Sequence, residues 1–353
     1  MTLIHPCSTA QWLSAVALCA CAGCDAKSGV VADSGVTIDG AASDAASDST
    51  SSSGDAPHDS AAGDAGDAGP DAPIVVDATP LPNGPWIVFS SNRSGNFDLY
   101  VAHPDGTGVM PIASDTGNDF FGTWSRDGQR IAYASNVSGS YQLYVFDIIT
   151  GLTTPLSSAR ALATTPCYSP DDAQLAFGGD GPGGSLLYRV DSLGGASIAL
   201  TTGTARDSSP AWSPDGKAIY FASDRAAGAF EVWSVAPDGS GLTQVTTGAG
   251  LIGGPAISHD ATTLAFAQPS ATDPTSTQVV LYSLASKAMT VLTAQGDSEP
   301  AFASKAEWVA VTSTRYDPAN PEIVLVDPVG VRAPFRLTNS PGVDGQASFQ
   351  PTP

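Results

Sequence analysis

The sequence predicts an all-β fold in which one four-stranded unit is repeated six times around a ring. Three observations lead to this prediction. Short apolar runs recur every 44 or 45 residues from residue 87 onwards, the runs are bounded by Gly, Pro, Asp and Ser, and no stretch of this region carries a sustained helical period. Repeats of this length, built from several short strands, are typical of propeller blades. We therefore predict a six-bladed β-propeller over residues 81–353.

The second strand of each blade begins with an aliphatic residue. In the fourth copy, a strand from Ile219 is followed by a strand over 230–235, a turn over 237–241 and an outer strand over 242–246. Each of these runs has the length and the β-branched or aromatic content of a strand. The six predicted starts are Ile87, Ile131, Leu175, Ile219, Leu264 and Val309.

The innermost strand of each blade ends at one large apolar position. We expect these side chains to wedge between neighbouring blades, where the burial of each contributes about 1.5–3 kcal/mol. The Asp-Gly pairs at 127–128 and 215–216 predict tight turns into the next strand, because glycine accepts a positive φ. The six positions are Trp124, Tyr168, Trp212, Ile257, Phe302 and Phe349.

The two ends of the repeat region predict how the ring closes. The first copy starts directly with its second strand at Trp86, whereas the last copy is followed by an additional inner strand that ends at Phe349. The spacing from Asp344 to Phe349 equals the spacing from Asp207 to Trp212. We therefore predict that the C-terminal strand completes the first blade, which closes the ring and removes its exposed edges.

Residues 1–24 have the character of an export signal. The apolar run over 11–23 is too short to span a bilayer but suits the core of a signal peptide. The segment from Leu18 to Cys21 resembles the lipobox of bacterial lipoproteins, in which the cysteine is acylated. We assign lipidation to Cys21, with Cys24 as the alternative, because Cys21 has a leucine three positions before it. A plain secretory signal or a spurious N-terminal extension remains the other interpretation.

Residues 25–80 form an acidic linker rich in Ala, Ser, Gly and Asp. They contain eleven aspartates and one lysine, and almost no large apolar side chains, so we expect disorder. A coil of this length spans roughly 40 Å. The formal charge of the whole chain is −21, which argues against a nucleic-acid partner and against direct adhesion to an anionic membrane. Contact with a membrane is therefore expected only through the lipid anchor.

The repeats resemble those of TolB-like propellers. Ser90 to Tyr100 reads Ser-Ser-Asn-Arg-Ser-Gly-Asn-Phe-Asp-Leu-Tyr, and Trp212 to Lys217 reads Trp-Ser-Pro-Asp-Gly-Lys. TolB is a periplasmic partner of envelope proteins, so the resemblance implies an exported, monomeric protein of the periplasm or outer membrane whose propeller binds envelope proteins. The resemblance is specific for the fold. It is much less specific for the function, because the same propeller serves several functions.

We find no motif of a catalytic or cofactor site in residues 81–353. This region has no Gly-x-Ser-x-Gly, His-Glu-x-x-His or Cys-x-x-Cys pattern, and its two histidines, His103 and His259, occupy unrelated repeat positions. The glycine-rich segment over 178–184 lacks the Lys-Ser/Thr of a phosphate loop and is interpreted as a long flexible connection. Cys167 is interpreted as a small buried hydrophobe. We expect neither a cofactor nor a metal, and no enzyme activity.

One polar constellation remains as a candidate site. Four aspartates precede inner strands and three arginines follow second strands, and both kinds of connection emerge on the same face of a propeller. In one interpretation the arginines pair with the aspartates and pin the loops between blades; in the other, a charged rim binds a peptide or a protein. The residues are Asp119, Asp207, Asp297, Asp344, Arg93, Arg225 and Arg315.

The alternative function is that of a propeller enzyme or binding protein that acts on extracellular carbohydrate or peptide polymers. This alternative requires carboxylates at a catalytic separation of roughly 5–9.5 Å in an accessible pocket.

Overall fold

The computed structural model describes residues 81, 85–156, 160–226, 228–294, 296–305 and 307–351. The predicted signal peptide over 1–24, with Cys21 and Cys24, and the predicted linker over 25–80 lie outside the described residues. Within the described ranges, no helix has the length and apolar character needed to cross a lipid bilayer.

The described residues form six antiparallel sheets of four strands each, as predicted. In chain order the first twelve strands are β1 (Ile87–Ser91), β2 (Asp98–Ala102), β3 (Met110–Ala113), β4 (Asp119–Trp124), β5 (Arg130–Ser135), β6 (Gln142–Asp147), β7 (Thr153–Leu156), β8 (Ala163–Tyr168), β9 (Gln174–Gly181), β10 (Gly184–Asp191), β11 (Ile198–Ala199) and β12 (Asp207–Trp212). The other twelve are β13 (Ile219–Ser223), β14 (Glu231–Val235), β15 (Thr243–Gln244), β16 (Ile252–Ile257), β17 (Thr263–Pro269), β18 (Thr277–Ser283), β19 (Met289–Val291), β20 (Asp297–Phe302), β21 (Val309–Ser313), β22 (Glu322–Val326), β23 (Phe335–Arg336) and β24 (Asp344–Phe349).

Blade 1 consists of β24, β1, β2 and β3, from the inner to the outer strand, and blades 2 to 6 each take four consecutive strands from β4 onwards. We call the face on which the inner strands begin the start face, and the opposite face the end face. Turns from a second to a third strand lie on the start face, because neighbouring strands are antiparallel.

The predicted closure of the ring is confirmed. β24 pairs with β1 so that Ile87 lies opposite Phe349 and Ser91 lies opposite Asp344. Two hydrogen bonds extend this pairing beyond the strands: Gln350 N donates to Trp86 O at 2.8 Å, and Trp86 N donates to Gln350 Oε1 at 3.1 Å. The C-terminal strand thus satisfies the backbone of β1, which would otherwise be an open sheet edge.

The core lies between the blades, where the predicted wedge residues are found. All six end their inner strands, and Trp124, Tyr168 and Trp212 are less than one-tenth exposed. Trp212 of blade 4 packs in one cluster with Leu187 of blade 3 and with Phe221 of its own blade. Cys167 joins the same cluster as a free thiol, and burial raises its pKa to about 11. The packing role predicted for these residues is therefore confirmed.

The glycine-rich segment over 178–184 differs from the prediction. It is not a long flexible connection but the end of a hairpin, because β9 and β10 extend to Gly181 and from Gly184 around a two-residue turn. Gly183 supplies the positive φ, 86°, that this turn requires. A Cβ atom at Gly184 would lie 2.5 Å from Ala205 O, so glycine allows the hairpin to pass close to the chain that leads into blade 4.

Each inner strand contains a β-bulge next to a residue with left-handed backbone geometry. In five blades this residue is not glycine, which is uncommon and marks a position that the surrounding sheet holds in place. Blade 5 has Gly253 at φ 88° instead. The five residues and their φ values are Phe121 (59°), Thr165 (50°), Ser209 (52°), Glu299 (51°) and Gln346 (58°).

Candidate binding site on the propeller axis

Three of the predicted aspartates form ion pairs with the three predicted arginines on the start face. In blade 1, Arg93 Nη2 lies 2.9 Å from both carboxylate oxygens of Asp344, and Arg93 Nε donates to Ser91 Oγ at 2.8 Å. The Asp344 side chain is fully buried, whereas the Arg93 side chain is 21% exposed. The two equivalent pairs are Arg225 with Asp207 in blade 4 and Arg315 with Asp297 in blade 6.

These are pairs of the kind that the first sequence-based interpretation expected, and each joins two strands of one blade. Because Asp344 lies opposite Ser91 in the sheet, the arginine two residues later can fold back onto the carboxylate. Each pair therefore fixes the turn after the second strand to the beginning of the inner strand. A charge-assisted pair of this kind satisfies a buried carboxylate that would otherwise be costly. The carboxylates are enclosed, and the guanidinium groups are the parts of the pairs that reach the surface.

Three further ion pairs on the start face were not anticipated from the sequence, and one of them joins Arg336 to Glu322 at 2.9 Å. In the other two, Arg160 lies 2.7 Å from Asp180, and Arg206 lies 2.7 Å from Asp224. In these two pairs the arginine precedes an inner strand and the aspartate lies at or just after the end of a second strand, so the arrangement is the reverse of the first three pairs. The charged residues of these two pairs occupy different positions from the first three pairs: Arg206 directly precedes Asp207, and Asp224 directly precedes Arg225, so blade 4 contains both kinds of pair.

Asp119, the fourth predicted aspartate, has no arginine partner in the part of the chain that the structure describes. Val137 occupies the position in blade 2 that Arg93, Arg225 and Arg315 hold in their blades. The Asp119 side chain is fully buried, and neither carboxylate oxygen accepts a hydrogen bond of ordinary geometry from a described residue. Desolvation raises the pKa of Asp119 to about 8, against the effect of the nearby Ser135 hydroxyl. This carboxyl group is therefore largely protonated at neutral pH.

A second set of buried carboxylates, which was not predicted from the sequence, stabilises the outer strands. Glu231 begins β14 and accepts hydrogen bonds from Thr246 Oγ1 at 2.6 Å and Ala249 N at 3.0 Å. Glu322 begins β22 and accepts one from Thr338 Oγ1 at 2.6 Å. The sequence contained one indication of these sites: several repeats end in an apolar residue followed by threonine, such as Val245-Thr246 and Leu337-Thr338. These glutamates support the fold and do not face the axis.

A cavity of about 270 Å³ lies on the axis of the propeller and is lined by inner strands of all six blades. The residues with left-handed geometry line it, including Glu299. Glu299 Oε2 accepts hydrogen bonds from Thr312 Oγ1 at 2.8 Å and from Gln346 N at 3.2 Å. Desolvation raises the pKa of Glu299 above its ordinary value. Glu299 was not predictable as a site residue from the repeats, because its repeat position carries a different residue in every blade.

The end face has a second, smaller cavity of about 180 Å³, lined in part by the wedge residues. Arg126 of blade 2 reaches across this opening to blade 5, where its two Nη atoms lie 3.0 Å from the two ring nitrogens of His259. Burial and the charge of Arg126 lower the pKa of His259, which favours a neutral ring at pH 7.

The other histidine of the propeller, His103, lies elsewhere and stacks on Trp86 with ring centroids 3.9 Å apart. Among the described residues, no group of three or more His, Cys, Asp or Glu side chains is arranged to hold a metal ion.

Comparisons with known proteins agree with this architecture. The sequence profile of a family described as TolB beta propeller domain matches residues 105–303, which is more than half of the chain. TolB from Acinetobacter baumannii superposes with a TM-score of 0.67 at 19% identity, over 76% of this chain and 67% of that chain. A putative TolB from Agrobacterium tumefaciens superposes with a TM-score of 0.56 at 19% identity, over 76% of this chain and 99% of that chain.

The same fold occurs in proteins of unrelated description. Hydrazine synthase of Kuenenia stuttgartiensis superposes with a TM-score of 0.60 at 14% identity, over 78% of this chain and 47% of that chain. No curated protein sequence matches this chain. At these identities the structural similarity indicates a shared fold, and function has to be argued from the site.

Proposed function

Because the chain belongs to the TolB beta propeller domain family, we propose that it is an exported, lipid-anchored protein of the cell envelope whose propeller binds a protein partner on its start face. The TolB propellers that superpose on it share the fold, and the partner is expected among the proteins of the envelope. The propeller is proposed to act as a monomer and without catalysis.

The observation that carries this proposal is the rigidity of the start face. Arg93, Arg225 and Arg315 each join a surface turn to a buried aspartate, so these turns are held in place before any partner arrives. A surface that is already ordered loses less conformational entropy on binding and therefore binds more tightly. The guanidinium groups, with side chains 14–25% exposed, give this surface fixed donors for acidic or carbonyl groups of a partner.

An exposed aromatic residue lies beside these arginines. Tyr316 follows Arg315 in the turn after β21 and is 46% exposed. Arg336 stacks on its ring at 4.8 Å, which limits the rotation of the tyrosine side chain. Rigid, exposed tyrosines next to arginines are common anchors of protein–protein interfaces. Tyr316 is therefore the side chain whose removal we expect to weaken partner binding most.

The test is capture of cross-linked partners from native envelopes with the full chain. Tyr316→Ala should reduce recovery of the partner at least tenfold, because anchor residues contribute 2 kcal/mol or more, on the order of 30-fold in affinity. Leu193→Ala is the matched control, since Leu193 is 87% exposed in the turn after β10, on the end face. Equal recovery with the wild type and both variants contradicts the proposed binding face.

The proposed anchoring is tested separately. Metabolic labelling with an alkyne fatty acid should label the wild-type chain and the Cys24→Ser variant, but not the Cys21→Ser variant. Label that is lost only in Cys24→Ser moves the acylation to the alternative cysteine. A wild-type chain that takes up no label removes the lipid anchor from the proposal.

The geometry of the carboxylates argues against the alternative of an enzyme acting on extracellular polymers. Asp207, Asp297 and Asp344 are fully buried and paired with arginines. A carboxylate that is enclosed and paired in this way does not reach a polymer in the channel mouth.

A further inference from the structure

The axial cavity has two unlike halves. At the bulge positions, blades 1, 2 and 6 contribute the large side chains of Gln346, Phe121 and Glu299 to the lining. Blades 3, 4 and 5 contribute small residues there. The small half presents Thr165, Ser209 and glycine. Five of the six inner strands share one backbone pattern at this position, and blade 5 has two glycines there, so the asymmetry comes from side-chain size and leaves free volume opposite Glu299.

Glu299 is the only titratable side chain among the described residues that line this cavity. Oε2 is occupied by two hydrogen bonds, whereas Oε1 has only a 3.5 Å contact with Gln346 Nε2. Glu299 is half-buried and lines the cavity. Oε1 is thus the less fully hydrogen-bonded oxygen of a carboxylate in a cavity whose described lining has no cationic side chain.

The chemistry of the lining selects the class of ligand. Divalent calcium takes six to eight oxygen ligands, usually with several carboxylates, and the described residues hold no group of three acidic or other ligating side chains for a metal. A single carboxylate in an otherwise uncharged lining suits an organic ammonium group, because it balances one positive charge and accepts an N–H bond. A volume of about 270 Å³ lies just below the range of about 300–1,000 Å³ that is usual for sites of drug-sized ligands, so the ligand is expected to be small.

We propose that the axial cavity binds a small primary ammonium compound, with its charged nitrogen on Glu299 Oε1 and its short chain against Thr165, Ser209 and the neighbouring prolines. This site is independent of the partner surface on the start face. Binding stabilises the ionised form of Glu299, so a proton is released to solvent when the ligand enters at a pH where the carboxyl is still protonated.

The test is calorimetric titration of the full chain with n-butylammonium chloride, and with n-butanol as the neutral analogue. The wild type should bind n-butylammonium at one saturable site and n-butanol at least tenfold more weakly. Repeating the titration in buffers of different ionisation enthalpy should reveal the proton release. The affinity should rise with pH, since Glu299 is the titratable side chain that the described lining offers; Thr312 and Gln346 are the groups that contact its carboxyl.

Glu299→Gln should weaken the binding of n-butylammonium at least tenfold, which corresponds to about 1.4 kcal/mol, and should abolish the proton release. Glu307→Gln is the matched control, because it removes the same charge from an exposed position and should leave binding unchanged. Binding of n-butylammonium retained in Glu299→Gln, or no saturable binding to the wild type, overturns the proposal.

A second variant covers the case in which Glu299→Gln does not fold. Ser209→Phe reduces the free volume opposite Glu299 and leaves the carboxyl in place. Phenylalanine is compatible with this backbone, because Phe121 holds the equivalent position in blade 2 with φ 59° against 52° for Ser209. We expect Ser209→Phe to lose n-butylammonium binding at least tenfold, and unchanged binding in this variant also overturns the proposal.

Discussion

Blade 2 allows the energetic role of the start-face ion pairs to be measured by restoring a missing partner. Ser135, Tyr133 and Tyr144 occupy the repeat positions that Ser91, Phe89 and Tyr100 hold around Arg93 in blade 1, and the two ring pairs are 5.8 and 6.1 Å apart. Blade 2 thus has every part of the arginine site except the arginine. Val137→Arg should place a guanidinium group on the Asp119 carboxylate.

The pKa of Asp119 determines how strongly the free energy of unfolding should depend on pH. Its value of about 8 in the folded protein, against 3.8 for an ordinary aspartate, means that the folded state binds a proton that the unfolded state has released. The contribution of the Asp119 carboxyl group to the stability of the folded state is fully present below pH 3.8 and is lost as the pH rises towards 8. The loss is about 1.4 kcal/mol per pH unit, hence roughly 2.7 kcal/mol between pH 5 and pH 7.

The assay is urea unfolding of the full chain at pH 5, 6 and 7, followed by tryptophan fluorescence. The difference in unfolding free energy between wild type and Asp119→Asn isolates this group, because every other titrating residue is common to both. That difference should change by roughly 2.7 kcal/mol across this range, with the wild type losing stability as the pH rises. Val137→Arg should remove this pH dependence of the unfolding free energy and make the protein more stable than the wild type at pH 7.

Two results would refute this reasoning. If wild type and Asp119→Asn show the same pH dependence between pH 5 and pH 7, Asp119 is ionised and solvated in the folded protein. If Val137→Arg destabilises the protein equally at all three pH values, the added guanidinium does not reach the carboxylate, and the equivalence of the blades at this position is wrong.

Three further predictions use the same unfolding assay. Arg225→Met should destabilise the protein by about 3–5 kcal/mol because it leaves Asp207 buried and unpaired, and the double variant Arg225→Met with Asp207→Leu should recover most of this loss; a double variant no better than the single one contradicts it. Trp212→Ala should cost about 3–5 kcal/mol through the cavity it opens between blades 3 and 4, and a change below 1 kcal/mol would argue against its wedge role. Deleting residues 344–353 should abolish a single cooperative transition, since β1 loses its inner neighbour, and a truncated chain that melts as the wild type does would disprove the role of the closure.

The repeated elements of the fold were predictable from the sequence because they depend on local patterns. The predicted second-strand starts fall on the first or second residue of their strands, as Ile219 does in β13 and Ile131 does in β5. The closing strand was predictable because Asp344 and Phe349 reproduce the spacing of an inner strand that otherwise has no sheet. Alternation and turn residues carry this information within one repeat.

The candidate site was less predictable because it depends on differences between repeats. Asp119 resembles the other three aspartates in sequence, and only the valine 18 residues later distinguishes its environment. Glu299 is a polar residue in a predicted inner strand, and alternation alone does not place its side chain on the axis. Its orientation follows from the bulge and the left-handed φ of 51°, which depend on neighbouring strands rather than on local propensity.

The closure of blade 1 has a kinetic consequence. Trp86 and Gln350, which exchange hydrogen bonds at the seam, are 264 positions apart, so at 5–20 residues per second the partner of β1 is synthesised roughly 13–50 s after β1 itself. During this interval the sequence Ile-Val-Phe-Ser-Ser, buried throughout in the native protein, is an unpaired edge able to join a strand of another chain. Nascent chains of this protein are therefore most vulnerable to aggregation at their first strand, and any factor that delays release of the last ten residues lengthens that period.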